Sequence, residues 1–466
     1  MPCTGSRLSI KTAQARLLQS FKFGFLDEVP DANLWRADPL VSGRLRPRKF
    51  CYGVERSHVL NQRNQREGKV NMHRKIIKRG FRAALLVGLM ALISESSSAD
   101  EIGVSNDTIR IGALGALTGP GYLYGKIVMD GAQTVYNEVN AAGGIAGRKI
   151  EYVREDDRCD PATAIAAAKK LIYDDKVFMI HGGGCTNASV AAFPTIKEAK
   201  IPWVIFASVG DVLTNPPEPY IFTVALTASI ESYAQLEFAL QKGAKKIAII
   251  SQRDAWGRDR YDDVIEALKK HGIKPVADEE MTPDSNDATP QVLRIKQAGA
   301  DAVLMIIYPK PATAFLRDAY KVGYKPLMAG TTALGDLPAL EKQVGIPAAL
   351  ENVYAISHIR YTPGDADSQK WQALLSKYYP DEPLQIFQIL GIGSAKVVVH
   401  VLQEVGRDLT RERFKAKMQE LTNFDTGIFP GPITCTPDDH QCHKTPAWVT
   451  LMNGKVTTVA TTTVTR

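Results

Sequence analysis

From residue 107 onward, short apolar runs alternate with longer segments whose apolar residues recur every three or four positions. Residues 107–113 read as a buried strand. Residues 125–142 read as a helix whose apolar side carries Val128, Met129, Ala132, Val135, Tyr136 and Val139. The glycines of Asn140-Ala-Ala-Gly-Gly144 stop that helix. The same pattern predicts strands over 149–154, 177–180 and 201–206, and helices over 161–173, where Pro161 suits a first turn, and 188–199. The alternation then restarts. Helices are expected over 231–243, 261–271, 290–298 and 311–322, and strands over 246–251, 274–278 and 302–307. This order argues for an α/β fold with parallel sheets covered by helices, and two blocks of it suggest two similar lobes. Ligands in such sheets sit at the carboxyl ends of the strands. The C-terminal part differs, with helices over 369–379, 385–405 and 411–421 and a hairpin around 435–452 that is expected to return to both lobes.

Composition is that of a globular chain: 466 residues, 45% hydrophobic, 23% charged and 8% aromatic. This excludes a collagen-like, coiled-coil or wholly disordered protein. No uninterrupted apolar run reaches the roughly 18 residues of a membrane span, which argues against a multi-pass membrane protein. The formal charge of +7 is unevenly spread. Residues 1–99 hold 18 Lys and Arg against 7 Asp and Glu, and residues 100–466 hold 39 against 43. The segment expected to fold is thus slightly acidic, and the basic balance gives no support to a nucleic-acid partner.

Met72 opens the pattern of a secretory signal peptide. A basic stretch runs to Arg82, an apolar stretch covers 83–93, and small residues precede Asp100, so cleavage is expected after Ala99. The product is expected in the periplasm. Residues 1–71 are Arg-rich and aperiodic, and are read as a start-site misassignment or a disordered basic segment. Four of the six cysteines, Cys159, Cys185, Cys435 and Cys442, follow the signal. An even set suits an oxidising compartment, and three pairings are possible. A metal site from Cys435, His440, Cys442 and His443 is a rival, although its spacing fits no common zinc pattern.

Catalytic motifs are weak. His181-Gly182-Gly183-Gly184 resembles the oxyanion loop of lipases, but Phe206-Ala207-Ser208-Val209-Gly210 lacks the first glycine of a nucleophile elbow. The glycines of Gly112, Gly115 and Gly119 do not have dinucleotide-binding spacing. Asp156, Asp157 and Asp160 read as a solvated loop rather than a metal cluster. No enzyme activity, metal or cofactor is expected.

Several motifs together carry a resemblance. They are Ile109-Arg-Ile-Gly112, Leu117-Thr118-Gly119-Pro120, Tyr124-Gly125, Asp130-Gly131-Ala132, Asn137-x-Val139-Asn140-Ala-Ala-Gly-Gly-Ile-Ala-Gly147, Asp156-Asp157-x-Cys159-Asp160-Pro161 and Gly183-Gly184-Cys185-Thr186. Over about residues 107–460 the chain resembles the type I periplasmic solute-binding proteins of the branched-chain amino acid (Leu/Ile/Val) ABC transporters. The resemblance implies two Rossmann-like lobes, 100–224 plus 357–432 and 225–353 plus 434–466. Three hinge strands near 222–228, 352–358 and 431–436 would join them, with the ligand in the cleft between. Sequence proximity and the resemblance together favour the pairs Cys159–Cys185 and Cys435–Cys442.

The resemblance also implies ligand contacts. Tyr124 flanks the ligand, Thr186 binds its carboxylate with Cys185 beside it in the site, and Ala207, Ser208 and Val209 form the next strand-end loop. Trp256 and Tyr308 come from the second lobe, and Phe206 is a further aromatic candidate. The family's acidic partner of the ligand ammonium falls at Thr331, and no carboxylate lies between Asp318 and Asp336. A ligand with a carboxylate or other polar acceptor but no α-ammonium is therefore expected: an aromatic acid, a keto acid or an amide. Asp336 would restore an amino-acid site if the alignment slipped. The expected role is that of the periplasmic component of an ABC importer, a monomer that closes on a small molecule and docks on an inner-membrane permease. The alternatives are a ligand-sensing subunit for a receptor and an exported hydrolase using the His181–Gly184 loop.

Overall fold

In a computed structural model, the described residues are 101–119, 121–360 and 364–465. The signal segment 72–99 and residues 1–71 lie outside them. A first sheet contains β1 (Thr108–Gly115), β2 (Lys149–Asp156), β3 (Met179–His181), β4 (Trp203–Ile205) and β5 (Ile221–Thr223). All neighbours are parallel, in the order β2-β1-β3-β4-β5. Helix α1 (Val128–Ala141) lays Val128, Met129, Ala132 and Tyr136 against Ile109 and Ile111 on one face. On the other face, α2 (Pro161–Lys169) and α3 (Thr186–Glu198) pack Ala164, Ala168, Ala192 and Ile196 with Leu114, Ile180 and Trp203. Asp160 starts α2 by accepting the Thr163 N–H at 2.8 Å.

The chain then builds a second sheet. It runs through α4 (Ala228–Gln241), β6 (Ile247–Gln252), α5 (Ala255–Lys270), β7 (Ala277–Met281), α6 (Thr289–Gln297), β8 (Ala302–Ile306), α7 (Pro309–Lys321), β9 (Leu327–Gly330), α8 (Leu337–Val344) and β10 (Val353–Ser357). Next, α9 (Gln369–Ser376), α10 (Ile386–Val405) and α11 (Arg411–Gln419) return to the first lobe. The hairpin β11 (Ala447–Met452) and β12 (Lys455–Thr461) closes the second sheet, in the order β12-β11-β10-β9-β8-β6-β7. Strand β11 pairs antiparallel with both β10 and β12, and the other neighbours are parallel, so this sheet is mixed. Strand β7 lies three residues beyond the expected 274–278. Its polar sequence suits a sheet edge, where half of each pleat faces water.

Helix α10 is apolar and long enough to cross a membrane by composition alone, yet 72% of that stretch is buried inside the protein. It crosses α1 at backbone contact. A Cβ on Gly131 would lie 2.1 Å from the Gln388 carbonyl oxygen, and one on Gly391 would lie 1.9 Å from the Val128 carbonyl oxygen. Only glycine permits this approach.

Three stretches pass between the sheets. The first follows Thr223, whose N–H donates to the His440 carbonyl at 2.9 Å and whose carbonyl accepts from Cys442. The second follows Ser357. The third follows Cys442 and enters β11, which places it beyond 431–436, because Ile433, Cys435 and Cys442 pack in the first lobe's core.

Candidate functional site

In each sheet the strand order reverses direction at one point, between β1 and β3 and between β6 and β8. A crevice opens outside the carboxyl ends of the strands at such a switch. The first crevice is bordered by the loop from Gly182 to Thr186, and the second by the loop from Arg253 to Trp256 and by Tyr308. Ala207–Val209 follow β4 and Thr331 follows β9, so the residues singled out from sequence fall on the strand-end loops of the two sheets.

The first lobe's loops are cross-braced. Cys159 and Cys185 are joined, with Cα atoms 5.3 Å apart, tying the loop after β2 to the start of α3. Asp156 accepts the Leu117 N–H at 2.9 Å and the Thr118 hydroxyl at 2.6 Å. Asp157 accepts the Cys159 N–H at 2.8 Å, and burial pushes its carboxyl up to about 6. These carboxylates shape the loop. Cys185 stands at the N-cap of α3 without a side-chain cap, which leaves first-turn N–H groups for an anion. The Thr186 hydroxyl oxygen accepts the Val209 N–H at 3.3 Å and the Ser208 hydroxyl at 3.4 Å. Ser208 and Ala207 in turn donate their N–H groups to the Gly183 carbonyl at 2.9 and 3.3 Å. Tyr124 sits against this loop, because a Cβ on Gly184 would lie 2.6 Å from the Tyr124 carbonyl oxygen. Tyr124 is 44% exposed, and its ring meets Phe387 edge-on at 5.1 Å. Phe387, at the start of α10, was not anticipated.

The second lobe supplies a flat aromatic wall. Asp254 caps α5 by accepting the Gly257 N–H at 2.8 Å, and this sets Trp256 on the first turn. Gln252 accepts the Tyr308 N–H at 3.1 Å through Oε1. Trp256 and Tyr308 then stack with centroids 4.3 Å apart and planes 27° off parallel. Burial and the charge of Asp254 push the Tyr308 phenol up to about 12, so it stays protonated and can donate a hydrogen bond at neutral pH.

The site departs from the sequence reading at the expected ammonium position. Thr331 is buried, and its hydroxyl oxygen accepts the Ala333 N–H at 3.3 Å. Asp336 is exposed and caps α8 through the Ala339 N–H at 3.1 Å, so it serves helix α8. A carboxylate arrives from elsewhere: Glu231, on the first turn of α4, accepts the Thr332 hydroxyl at 2.6 Å. It is already partnered, because Arg260 of α5 places Nε 3.4 Å from its other oxygen, and both side chains are buried. The Arg260 guanidinium lies 4.3 Å from the Trp256 ring centroid. The Glu231 charge also adds to the burial that raises the Tyr124 phenol. Neither Glu231 nor Arg260 stands out in the sequence.

Other candidates lie away from the cleft. His181 is buried, with Nδ1 2.7 Å from the Tyr136 hydroxyl and Nε2 3.1 Å from the Ser394 hydroxyl; burial lowers its imidazole to about 3. Phe206 is fully buried and packs edge-on against His181 at 5.5 Å, so it belongs to the core. Cys435 and Cys442 are joined. His440 Nδ1 meets the carbonyls of Glu218 and Ile221 at 2.8 and 2.9 Å, and His443 Nε2 faces the Thr445 carbonyl at 3.2 Å. Among the described residues, no three His, Cys, Asp or Glu converge as metal ligands would.

Comparison with known proteins agrees with this architecture. A family model described as a periplasmic binding protein matches residues 108–455. An amino acid binding protein of Pseudomonas aeruginosa is 29% identical over 233 residues, covering 50% of this chain and 60% of that protein. Leu/Ile/Val-binding protein homolog 7 of Brucella abortus is 27% identical over 313 residues, covering 64% and 77%. A solute-binding protein of an ABC transporter from R. palustris, solved with 4-hydroxybenzoate, superposes with a TM-score of 0.60 at 22% identity, covering 77% of this chain and 97% of that one. With two α/β lobes, strand-end loops at both switch points and a family match over most of its length, the chain belongs to the type I periplasmic solute-binding proteins of the branched-chain amino acid ABC-transporter family.

Proposed function

We propose that this protein captures a small carboxylate without an α-ammonium group, an aromatic acid, keto acid or amide in preference to an α-amino acid, and delivers it to an inner-membrane permease. It acts by binding alone, as an exported monomer in the periplasm. The ligand carboxylate sits on the first turn of α3 beside Thr186, and its body lies against Trp256 and Tyr308. The lobes close over it through the three passages, and the closed form is the one the permease accepts.

The observation that carries this reading is the pairing of Glu231 with Arg260. An ammonium placed there would have to displace a buried guanidinium, and a buried charge stripped of its partner costs about 3–5 kcal/mol. The stacked Trp256 and Tyr308 favour a flat ligand body. The R. palustris neighbour was solved with 4-hydroxybenzoate, which is such a ligand, whereas the Brucella relative is named for leucine, isoleucine and valine. The test is a calorimetric comparison of Thr186→Val and Thr186→Ser with the unaltered protein. Losing one hydrogen bond to a charged group should weaken carboxylate binding about tenfold or more in Thr186→Val. Thr186→Ser keeps the hydroxyl and should stay within about threefold, the weight of a lost methyl contact. Equal affinity in all three proteins would place the carboxylate elsewhere.

A further inference from the structure

We propose that Trp256 is a spacer and Tyr308 the ligand platform: Trp256 carries Arg260 on one face and Tyr308 on the other, and the outer face of Tyr308 selects flat-ringed carboxylates over puckered ones of the same outline. This rests on the carboxylate-ligand reading above and assigns the contact with the ligand body to one residue.

Both faces of the Trp256 indole are taken. The Tyr308 ring stacks on it with centroids 4.3 Å apart and planes 27° off parallel. The Arg260 guanidinium also stands over it, 4.3 Å from the ring centroid. Stacked atoms approach no closer than about 3.5 Å, so two flat groups this near one indole fit only on opposite faces. Burial follows the same order. Arg260 is 3% exposed, Trp256 is partly buried against the core of the second lobe, and Tyr308 is 36% exposed. The column therefore runs outward from guanidinium to indole to phenol, and its next place is the outer face of Tyr308, just beyond the end of β8.

Each layer has its own anchor. Glu231 holds Arg260, with Oε2 3.4 Å from Nε. The guanidinium is drawn to the negative face of the indole. Gln252, 1% exposed, ties the other two layers together. Its Oε1 accepts the Tyr308 N–H at 3.1 Å, and its Nε2 donates at 2.5 Å to Asp254, the cap of the helix that carries Trp256. Tyr308 is the N-cap of α7 and Pro309 follows it, which restrains its backbone. Trp256 is thus a positioning residue for Tyr308. A phenol held in this way presents one fixed plane. A planar ligand ring meets that plane over its whole area, whereas a chair-shaped ring touches it only through its axial hydrogens.

The test is a calorimetric titration of the purified protein with 4-hydroxybenzoate and with trans-4-hydroxycyclohexanecarboxylate, which share both end groups and differ in the shape of the ring. The ratio of the two affinities is the readout, because it does not depend on how much of a variant folds. The unaltered protein should favour the flat acid about threefold to tenfold, the worth of one aromatic stack. Tyr308→Phe keeps the plane and should keep the ratio, and Tyr308→Leu should bring it near one. Trp256→Leu removes the flat spacer and should also lower the ratio, while Trp256→Phe should retain most of it. Trp256→Leu added to Tyr308→Leu should change the ratio no further, because Trp256 acts through Tyr308. A further drop in that double variant, a ratio that survives Tyr308→Leu, or a ratio unmoved by Trp256→Leu overturns the inference. A ratio near one in the unaltered protein, with both acids bound, overturns it too and leaves the carboxylate reading standing. Failure of both acids to bind, with leucine binding instead, overturns both.

Discussion

Replacing Glu231 with Ala is expected to lower the unfolding free energy by about 3–5 kcal/mol, because it strands the Arg260 charge inside the protein. The side chain of Glu231 is 0% exposed and that of Arg260 3%, so water cannot take the carboxylate's place without opening the lobe. The Thr332 hydroxyl loses its acceptor in the same step. The double variant Glu231→Ala with Arg260→Met should recover most of the loss, since it removes the stranded charge together with its partner. Urea unfolding of the single and double variants measures this. A loss below about 1 kcal/mol in Glu231→Ala would mean that Arg260 is effectively solvated and the pair belongs to an exposed surface.

Breaking the Cys159–Cys185 link by changing both residues to Ser should cost about 3–4 kcal/mol, the chain-entropy value for a loop of this length. The residues are separated by 26 positions, against 7 for Cys435 and Cys442. The same variant at Cys435 and Cys442 should therefore cost roughly 1 kcal/mol less. Function separates the two more sharply. Cys185 is the N-cap of α3 and adjoins Thr186, so freeing it loosens the first turn that receives the carboxylate. Ligand affinity should fall in the first variant and hold in the second, whose link lies by the third passage. Unfolding and titration of both variants check the order. Equal affinity loss in the two would show that the link near Thr186 plays no part in shaping the site.

Much of the fold was legible because apolar spacing changes period cleanly along the chain. The helix 125–142 was marked by Val128, Met129, Ala132, Val135 and Tyr136, and its apolar side is the one that packs on β1. The closing hairpin lies later than the expected 435–452, at β11 and β12, because its turn is Asn453-Gly454. Asn453 and Gly454 have φ of 53° and 73° and join β11 to β12, and Asn-Gly is a strong signal for such a turn. The polar edge strand β7 hid its register, because Asp278, Glu279 and Glu280 carry little strand preference.

The site was legible where loops follow strands and illegible where helices meet. Thr186, Trp256 and Tyr308 stand just beyond strand ends, at positions the topology makes functional. Glu231 and Arg260 lie 29 residues apart on α4 and α5, and each reads as an ordinary polar residue of an amphipathic helix. An acidic residue in a first helical turn is what the helix dipole favours in any protein, so Glu231 carried no distinguishing mark. Their meeting is a property of packing. His181 misled in the opposite direction: a glycine run beside it resembles an anion cradle, while its ring points into the core between Tyr136 and Ser394.

The account turns on whether the cleft takes an acid without an ammonium. The most direct measurement is a calorimetric titration of the purified protein with 4-hydroxybenzoate and, separately, with leucine. Micromolar or tighter binding of the aromatic acid, with leucine at least about a hundredfold weaker, is the predicted result, since admitting an ammonium would cost several kcal/mol at the Glu231–Arg260 pair. Tight binding of leucine with no heat from the acid would contradict the account, and would mean that Glu231 leaves Arg260 to serve the ligand ammonium.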